Sequence, residues 1–425
     1  MKKYYNLLRY LILFNDIFFF YISLTLLVLT RYGFSLIDIK NHFFGFTFLL
    51  PFWIIIFYSQ DFYSLNLIKN KFSLRVIKSF IFGFFISIII FYFIPYFKIQ
   101  PKTNLFIFIF LYMSLFLISR LFLEENLIKK NKLKILVFIP DYLKNKFLDD
   151  FRGLDFYEFY LVNNNEIPYE KDFYLDFNAI VLSRKIINED IISSLVKKTN
   201  FQIPIIELVD FYEKNLGRIP LEEIDEYWIL KEIINPEHKF FSITKRFFDI
   251  IFSLFIGIIS LPLIPLISLC IYLNSPGPII FKQKRVGINN KEFFIYKFRT
   301  MKLEKQDPGI WEKHNDERIF FCGRILRKLH LDEIPQIINV LKGDLSFVGP
   351  RPEQVNIVEE LKIKIPYYNF RHLVLPGITG LSQVNYKKPF NLEETKIKLE
   401  YDFYYLKNRN LLLDLIIFLK TIFNI

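Results

Sequence analysis

Lys245-Arg246-Phe247-Phe248-Asp249 opens an apolar run over residues 250–273, interrupted by Ser260, Pro262 and Pro265 and closed by Asn274-Ser275-Pro276-Gly277-Pro278. An unbroken run of that length would cross a bilayer and carry the rest of the chain to the other side. Prolines in its middle remove backbone donors and bend a helix, so the run reads as a kinked hairpin that dips into one leaflet and returns, with the break at Ser260 and Pro262. Lys282, Lys284, Arg285, Lys291, Lys297 and Arg299 follow at once, and basic residues are retained on the cytoplasmic side. A proline-kinked span that crosses is the alternative reading.

Upstream lie four further apolar stretches, residues 11–29, 43–58, 79–97 and 105–123, each near the roughly 20 residues needed to cross hydrocarbon. Lys2, Lys3 and Arg9, then Lys69, Lys71, Arg75 and Lys78, then Lys129, Lys130, Lys132 and Lys134 fall on one side of these spans. Only Arg31, Lys40, Lys98 and Lys102 fall on the other, which places the N-terminus and everything after the fourth span in the cytoplasm. Asn15 and Asp16 sit inside the first span, where an ionisable group is by default a functional candidate; an interhelix hydrogen bond, or a position near the interface, is the simpler expectation. The first apolar segment is a full span without a small-residue cleavage site, so no cleavable leader is expected.

Composition agrees with lipid as part of the solvent. Of 425 residues, 52% are hydrophobic and 19% aromatic, with a mean hydropathy of +0.27, too apolar for an ordinary soluble protein. The net charge of +12 suits membrane topology and anionic headgroups better than nucleic acid. Cys270 and Cys322 lie far apart in sequence with no CxxC or Cys/His spacing, and free thiols facing a reducing compartment are expected.

Between the spans and the kinked segment, strand-like runs at 133–139, 179–183 and 204–208 alternate with polar, helix-compatible stretches, as in a small α/β domain. A dinucleotide site would need glycines after the first strand, but Pro140, Asp141 and Tyr142 stand there, so nucleotide binding is not expected in this domain.

Beyond Pro278, residues 279–286 and 292–298 read as two strands around Gly287-Ile288-Asn289-Asn290. They end in Tyr296-Lys297-Phe298-Arg299-Thr300-Met301, a cationic strand end that can hold a pyrophosphate, or alone would be solvated surface charge. Gly323-Arg324-Ile325-Leu326-Arg327-Lys328-Leu329-His330-Leu331-Asp332-Glu333-Ile334-Pro335-Gln336 follows, with Ile334, Ile337, Ile338 and Leu341 at helical spacing. Asp332 and Glu333 therefore stand near a helix start, where an Asp is often just a cap. The chemical use differs: a carboxylate can attack a phosphoryl group and split one hard transfer into two through an acyl phosphate. An adjacent acid would hold a metal, and magnesium is expected because it needs few carboxylates beside substrate phosphates. The helix N-terminus with Arg324, Arg327 and Lys328 would favour the accumulating negative charge. The turns of Gly349-Pro350-Arg351-Pro352 can place Arg351 as a planar fork on phosphate oxygens. His372 beside Arg371 reads as structural. Residues 411–425 carry Leu412, Ile416, Leu419 and Phe423 at helical spacing, as an interfacial helix or one packed on the core would.

Together these motifs resemble the bacterial sugar transferase family, the monotopic-type polyprenyl phosphate phosphoglycosyl transferases, over roughly residues 245–421. The four spans and the middle domain look like the large members of that family. The resemblance implies an α/β membrane protein in three parts: a four-helix transmembrane bundle over 1–130, a cytoplasmic Rossmann-like α/β domain over 131–235, and a catalytic α/β domain over 236–425 with a re-entrant helix near 250–273 and amphipathic interfacial helices. It implies an inner-membrane enzyme with its catalytic domain in the cytoplasm, moving hexose 1-phosphate from a UDP-sugar to undecaprenyl phosphate and releasing UMP, to prime capsule, exopolysaccharide or O-antigen synthesis. Asp332 would be the nucleophile and Glu333 the Mg2+ ligand, with Lys297, Arg299, Arg327 and Arg351 around donor or lipid phosphates. No nucleic acid is implied, and a homodimer is left open. The sequence departs from the family where Leu261, not Ser, precedes Pro262, and where Phe320 follows Asp316, Glu317, Arg318 and Ile319 in place of a frequent Thr. A catalytically silent scaffold or regulator is the rival reading; the intact Asp332-Glu333 pair argues against it. A glycosyltransferase releasing UDP would bring an Asp-x-Asp signature that is not evident here.

Overall fold

A computed structural model of the chain describes residues 2–33, 36–64, 72–94, 101–123, 125, 132–162, 174, 176–186, 195, 199, 203–234, 238–302, 318–386 and 391–424. Lys69, Lys71, Lys98, Lys129 and Lys130 of the orientation argument, and Asp316 and Glu317, lie outside these residues. The chain divides into two compact units, residues 1–211 and 212–425.

Long apolar sequence makes the first unit helical at its start: α1 (Lys2–Tyr32), α2 (Leu36–Ser59), α3 (Phe72–Phe93) and α4 (Pro101–Leu123). All four are long and apolar enough to cross a membrane. α1 and α3 each pack against both α2 and α4, around a cluster of rings. Trp53 lies 5.1 Å from Phe80, and Phe57 lies 4.8 Å from Phe116, centroid to centroid. Gly83 admits the indole: a Cβ there would sit 2.6 Å from Trp53. α3 begins seven residues before the apolar stretch read from sequence, because Arg75 is accommodated at its end. That guanidinium donates to the Gln60 carbonyl at 2.8 Å and lies over the Phe62 ring.

Asp16 pairs across the bundle with Arg120, Oδ2 to Nη2 at 2.7 Å, with both side chains buried. The expected interhelix contact is therefore an ion pair, and Arg120 also lies over the Phe116 ring at 4.5 Å. Removing one partner strands a buried charge, so Asp16→Ala should destabilise the detergent-solubilised protein by about 3–5 kcal/mol, while replacing both partners by Leu and Met should restore most of the melting temperature. Equal melting temperatures for the single variant and the wild type would contradict the pairing.

The rest of this unit holds β1 (Leu133–Phe138), α5 (Asp141–Asp150), β2 (Tyr157–Val162), β3 (Ala179–Leu182) and β4 (Ile205–Glu207), in a parallel sheet of order β2-β1-β3-β4. β1 and β3 occupy the middle and are almost wholly buried, which is why they read as continuous apolar runs. β2 is an edge strand, Tyr-Glu-Phe-Tyr-Leu-Val with mixed burial, and was not among the expected strands. Its Phe159 packs on Phe147 and Phe151 near α5 at 5.0 and 5.4 Å. The unit boundary falls within α6 (Leu208–Leu216).

In the second unit, α7 (Glu226–Glu232) precedes α8 (His238–Ser260) and α9 (Leu263–Asn274), which are bent by 63° across residues 261–262. The break sits where the sequence placed it. Leu261 N makes the last helical bond to Gly257 O at 3.1 Å, Pro262 has no N–H to continue, and the Ser260 hydroxyl donates to the same Gly257 carbonyl at 2.9 Å. α8 is inverted relative to a soluble helix. Asp249, Ser253 and Ser260 are buried, while Ile251, Leu254, Phe255 and Ile258 are exposed.

Then follow the antiparallel hairpin β5 (Ile280–Val286) and β6 (Glu292–Phe298), α10 (Phe321–Lys328), α11 (Gln336–Lys342), β7 (Ser346–Val348), α12 (Val355–Lys364), β8 (Gly377–Thr379), α13 (Leu381–Asn385), α14 (Leu392–Asn408) and α15 (Leu411–Asn424). α15 packs through Ile416, Leu419 and Phe423, leaving Leu411, Leu412 and Leu415 exposed. Ile267, Ile271, Phe298, Phe320 and Leu326 form a core that binds the bent helix to β6 and α10. Cys270 and Cys322 meet in this core as a disulfide, Cα to Cα 6.4 Å, which corrects the expectation of free thiols. Sequence separation of 52 residues hid a contact that the packing of α9 on α10 creates.

Candidate active site

Asp332 and Glu333 occupy a single 3-10 turn, Leu331–Glu333, between α10 and α11. His330 before it adopts the left-handed conformation (φ 55°), turning the chain sharply so that the end of α10 returns beside the acids. Neither this turn nor α11 is capped by a side chain. The capping role that the sequence allowed for Asp332 is thus not the one it has, and the acids precede the α-helix rather than begin it.

β6 delivers Lys297 to the same place. Its Nζ lies 2.6 Å from Glu333 Oε1, and Arg351 Nη2 lies 3.9 Å from that oxygen. Burial alone would raise the Glu333 pKa, but Lys297 and Arg351 overcome it and hold the carboxyl down at about 2. Asp332 goes the other way. Burial raises it above the ordinary Asp value of 3.8, opposed by Lys297, reinforced by Glu333 and opposed again by Arg327. Two adjacent acids with oppositely displaced affinities for protons are the pattern of a site with divided chemical roles.

Arg327, at the end of α10, donates from Nε to Thr300 Oγ1 at 2.8 Å, and its charge reaches Asp332. Arg299 is placed differently. It is buried, with its guanidinium donating to the Ser275 carbonyl and, at 3.2 Å, to the Ser275 hydroxyl. It pins the turn that closes α9. The structure therefore gathers Asp332, Glu333, Lys297, Arg327 and Arg351, and sends Arg299 to the base of the bent α8–α9 pair, where Ser260 and Pro262 form the bend further along. His372 is buried, its Nδ1 2.7 Å from Asn290 Oδ1, and burial with the neighbouring Arg371 lowers its pKa to about 3. It stays neutral and ties the β5–β6 turn to the 368–373 segment.

Arg351 reaches the site from a loop fixed by backbone contact. β7 and β8 pair through Ser346 with Gly377 and Val348 with Thr379, and a Cβ on Gly377 would lie 2.1 Å from Gly349 N. Only glycine allows that approach. Arg371, Glu353, Lys398 and Asp402, which surround the loop from beneath, were not singled out in the sequence. They come from elements up to 49 positions apart with no local pattern; burial reveals Arg371, Lys398 and Asp402, and the half-buried Glu353 is found through its ion pair with Lys398.

Among the described residues no group of three or more His, Cys, Asp or Glu stands together. What the site offers a cation is the Glu333 carboxylate with Asp332 beside it, and both ion pairs to Glu333 are made by Oε1. An ionised acid, a buried acid and three cations form a pocket of chemistry suited to an anionic phosphorylated ligand. If Asp332 must be ionised to act, turnover should fail on the acid side at a pH above 3.8. Lys297→Met removes a cation that favours the ionised form, so it should move that acid limb to higher pH. A pH–rate profile checks this, and an unmoved limb would contradict it.

A model described as bacterial sugar transferase matches residues 240–425. The chain is 39% identical over 221 residues to the UDP-N-acetylgalactosamine-undecaprenyl-phosphate N-acetylgalactosaminephosphotransferase of Aeromonas hydrophila, covering 52% of each. It is 34% identical over 250 residues to the UDP-glucose:undecaprenyl-phosphate glucose-1-phosphate transferase of Klebsiella pneumoniae, covering 58% of this chain and 54% of that protein. The chain thus spans about half the length of these two curated relatives. Exopolysaccharide production protein PSS of Rhizobium leguminosarum bv. phaseoli is 37% identical over 190 residues, 42% of this chain and 94% of that shorter protein. With the matched segment containing the acid pair and every cation around it, the chain belongs to the bacterial sugar transferase family.

Proposed function

We propose that the chain transfers a hexose 1-phosphate from a UDP-sugar to undecaprenyl phosphate through a covalent phosphosugar on Asp332. The observation that carries this reading is the buried Asp332 beside a Glu333 fixed by Lys297 and Arg351. The printed names of the relatives, one using UDP-N-acetylgalactosamine and one UDP-glucose, support the donor and acceptor classes.

Asp332 Oδ attacks the sugar-bearing phosphorus of the donor. An Oδ–P bond forms, the bond to the bridging oxygen breaks, and UMP leaves with that oxygen. The undecaprenyl phosphate oxygen then attacks the same phosphorus and displaces the Asp332 carboxylate, leaving a lipid-linked sugar diphosphate. Lys297, Arg327 and Arg351 hold the phosphate oxygens in both halves. Glu333, ionised at all working pH values, would hold Mg2+, which when bound neutralises donor phosphate charge. Its carboxylate and the surrounding phosphate-binding cations fit that ion, which needs no all-protein cage.

The bent α8–α9 pair is read as re-entrant, so that both its ends and the acid pair face the cytoplasm of the inner membrane, where nucleotide sugars meet the lipid headgroups. The parallel sheet of the first unit is read as the cytoplasmic Rossmann-like middle domain. Incubating membranes with undecaprenyl phosphate, Mg2+ and either UDP-glucose or UDP-N-acetylgalactosamine tests the function. UMP release with at least one donor is expected. UDP as the nucleotide product would make the chain a simple glycosyltransferase, and no nucleotide product from any UDP-sugar would make it a scaffold.

A further inference from the structure

Four consecutive backbone carbonyls around Arg351 are each held. Pro350 O accepts from Gly377 N at 3.0 Å and Glu353 O from Val286 N at 3.0 Å. Arg351 O accepts from Arg371 Nη2 at 3.1 Å, and Pro352 O from Arg285 Nη1 at 3.2 Å. The flanking prolines already restrict the backbone torsions on either side of Arg351. Two of the four donors are guanidinium groups; Arg371 is balanced in the interior, and Arg285 is half-buried beside Glu353. Arg371 pairs with Asp402 at 2.8 Å, both 2% exposed, and Asp402 accepts from the Ser382 hydroxyl at 2.9 Å. Arg371 Nη1 also donates to the Tyr368 hydroxyl at 2.7 Å. Glu353 pairs with Lys398 and lies 4.0 Å from Arg285.

Stability alone does not explain this arrangement. Buried ion pairs replaced by apolar side chains are often neutral or stabilising, so a loop that only had to stay folded would manage with main-chain donors. What a charged, doubly anchored donor supplies is direction. Displacing a catalytic group by about 1 Å can lower a rate by roughly a hundredfold, and Arg351 is a long side chain whose reach to Glu333 depends on where its own backbone stands.

We propose that Arg371, anchored by Asp402 and Ser382, is a positioning residue that fixes the Arg351 backbone so that the Arg351 guanidinium stays at Glu333 and the donor phosphates. This rests on the proposed reading of Arg351 as a phosphate-binding group.

A double-substitution cycle tests it, with kcat/KM for the UDP-sugar measured on the full-length enzyme in membranes. Arg371→Lys keeps a cation for Asp402 but loses the fork that spans Asp402, Tyr368 and the Arg351 carbonyl; about a 10- to 50-fold loss is expected. Arg351→Ala should lose about 100- to 1000-fold. Together they should lose no more than about threefold beyond Arg351→Ala alone, because Arg371 acts only through Arg351. Losses that multiply would overturn the positioning role while leaving the phosphate role of Arg351 intact. An Arg351→Ala enzyme as active as wild type would overturn both. Should Arg371→Lys lower the melting temperature by more than a few degrees, Asp402→Asn enters the same cycle, with about a 3- to 10-fold loss expected alone and none in the Arg351→Ala background.

Discussion

Asp332→Asn should reduce UMP release from a UDP-sugar by roughly ten-thousand-fold or more and at the same time raise the melting temperature at neutral pH. The first half follows from chemistry. The amide is nearly isosteric with the carboxylate but has no anionic oxygen to attack phosphorus. The second half follows from burial. The folded-state pKa of Asp332 is raised above 3.8, chiefly by desolvation. For an acid this means that the fold favours the protonated form, so stability is highest below the unfolded pKa and declines as pH rises through the folded value. Above the folded value the ionised native form carries that penalty, and a neutral Asn removes it. An inactive, stabilised variant is the signature of a residue retained for reactivity. A variant that is inactive because it is unfolded would carry no such meaning, so both quantities are measured on the same preparation.

Glu333→Gln should also be severe, with the opposite sign for stability. A loss of about 100- to 1000-fold in kcat is expected, together with at least a tenfold rise in the Mg2+ concentration needed for half-maximal rate. Here the folded pKa is depressed from 4.5 to about 2 by Lys297 and Arg351, against the effect of burial. Such a group contributes stability that is present above its unfolded pKa and fades as pH falls from about 4.5 towards 2. Gln forfeits the contribution at neutral pH and leaves Lys297 and Arg351 facing each other without a counter-charge. With Glu333 and its partners partly solvated, about 1–3 kcal/mol of destabilisation is expected. Thermal melts at pH 7 and pH 3 check it: the difference between the two proteins at pH 7 should be clearly smaller at pH 3, where the Glu333 contribution has begun to fade. Equal melting temperatures at pH 7 would show that the cations do not depend on Glu333.

These opposite expectations for neighbouring acids show where sequence reading succeeds and where it stops. Hydropathy and proline spacing are local, so the four apolar helices, the break at Pro262 and the β5–β6 hairpin were legible. The start of α3 was not, because Arg75 finds a carbonyl and a ring at the helix end, and a hydropathy window stops at any charge. β2 alternates Tyr, Glu and Phe at a sheet edge and lacks the apolar run that exposed β1 and β3. Asp332 and Glu333 were legible as a pair, but not which of them is held ionised, since that depends on Lys297 and Arg351 arriving from other elements. Arg299 carries the same charge as Lys297 two positions away, and an unbroken pleat would put both on one face; but β6 ends at Phe298, and the turn at Ser275 takes the Arg299 guanidinium. The Cys270–Cys322 link and the Arg371–Asp402 clamp are long-range products of packing, with nothing in their neighbourhood to announce them.

The covalent intermediate is the claim on which the rest depends. Enzyme mixed with Mg2+ and a UDP-sugar, without lipid acceptor, should be quenched in acid, digested and measured by mass spectrometry. A peptide containing Asp332 should gain the mass of one phosphorylated sugar, lose it on addition of undecaprenyl phosphate before the quench, and never gain it in Asp332→Asn. The same mass on another residue, or UMP release in full turnover with no adduct at any time point, would contradict the account.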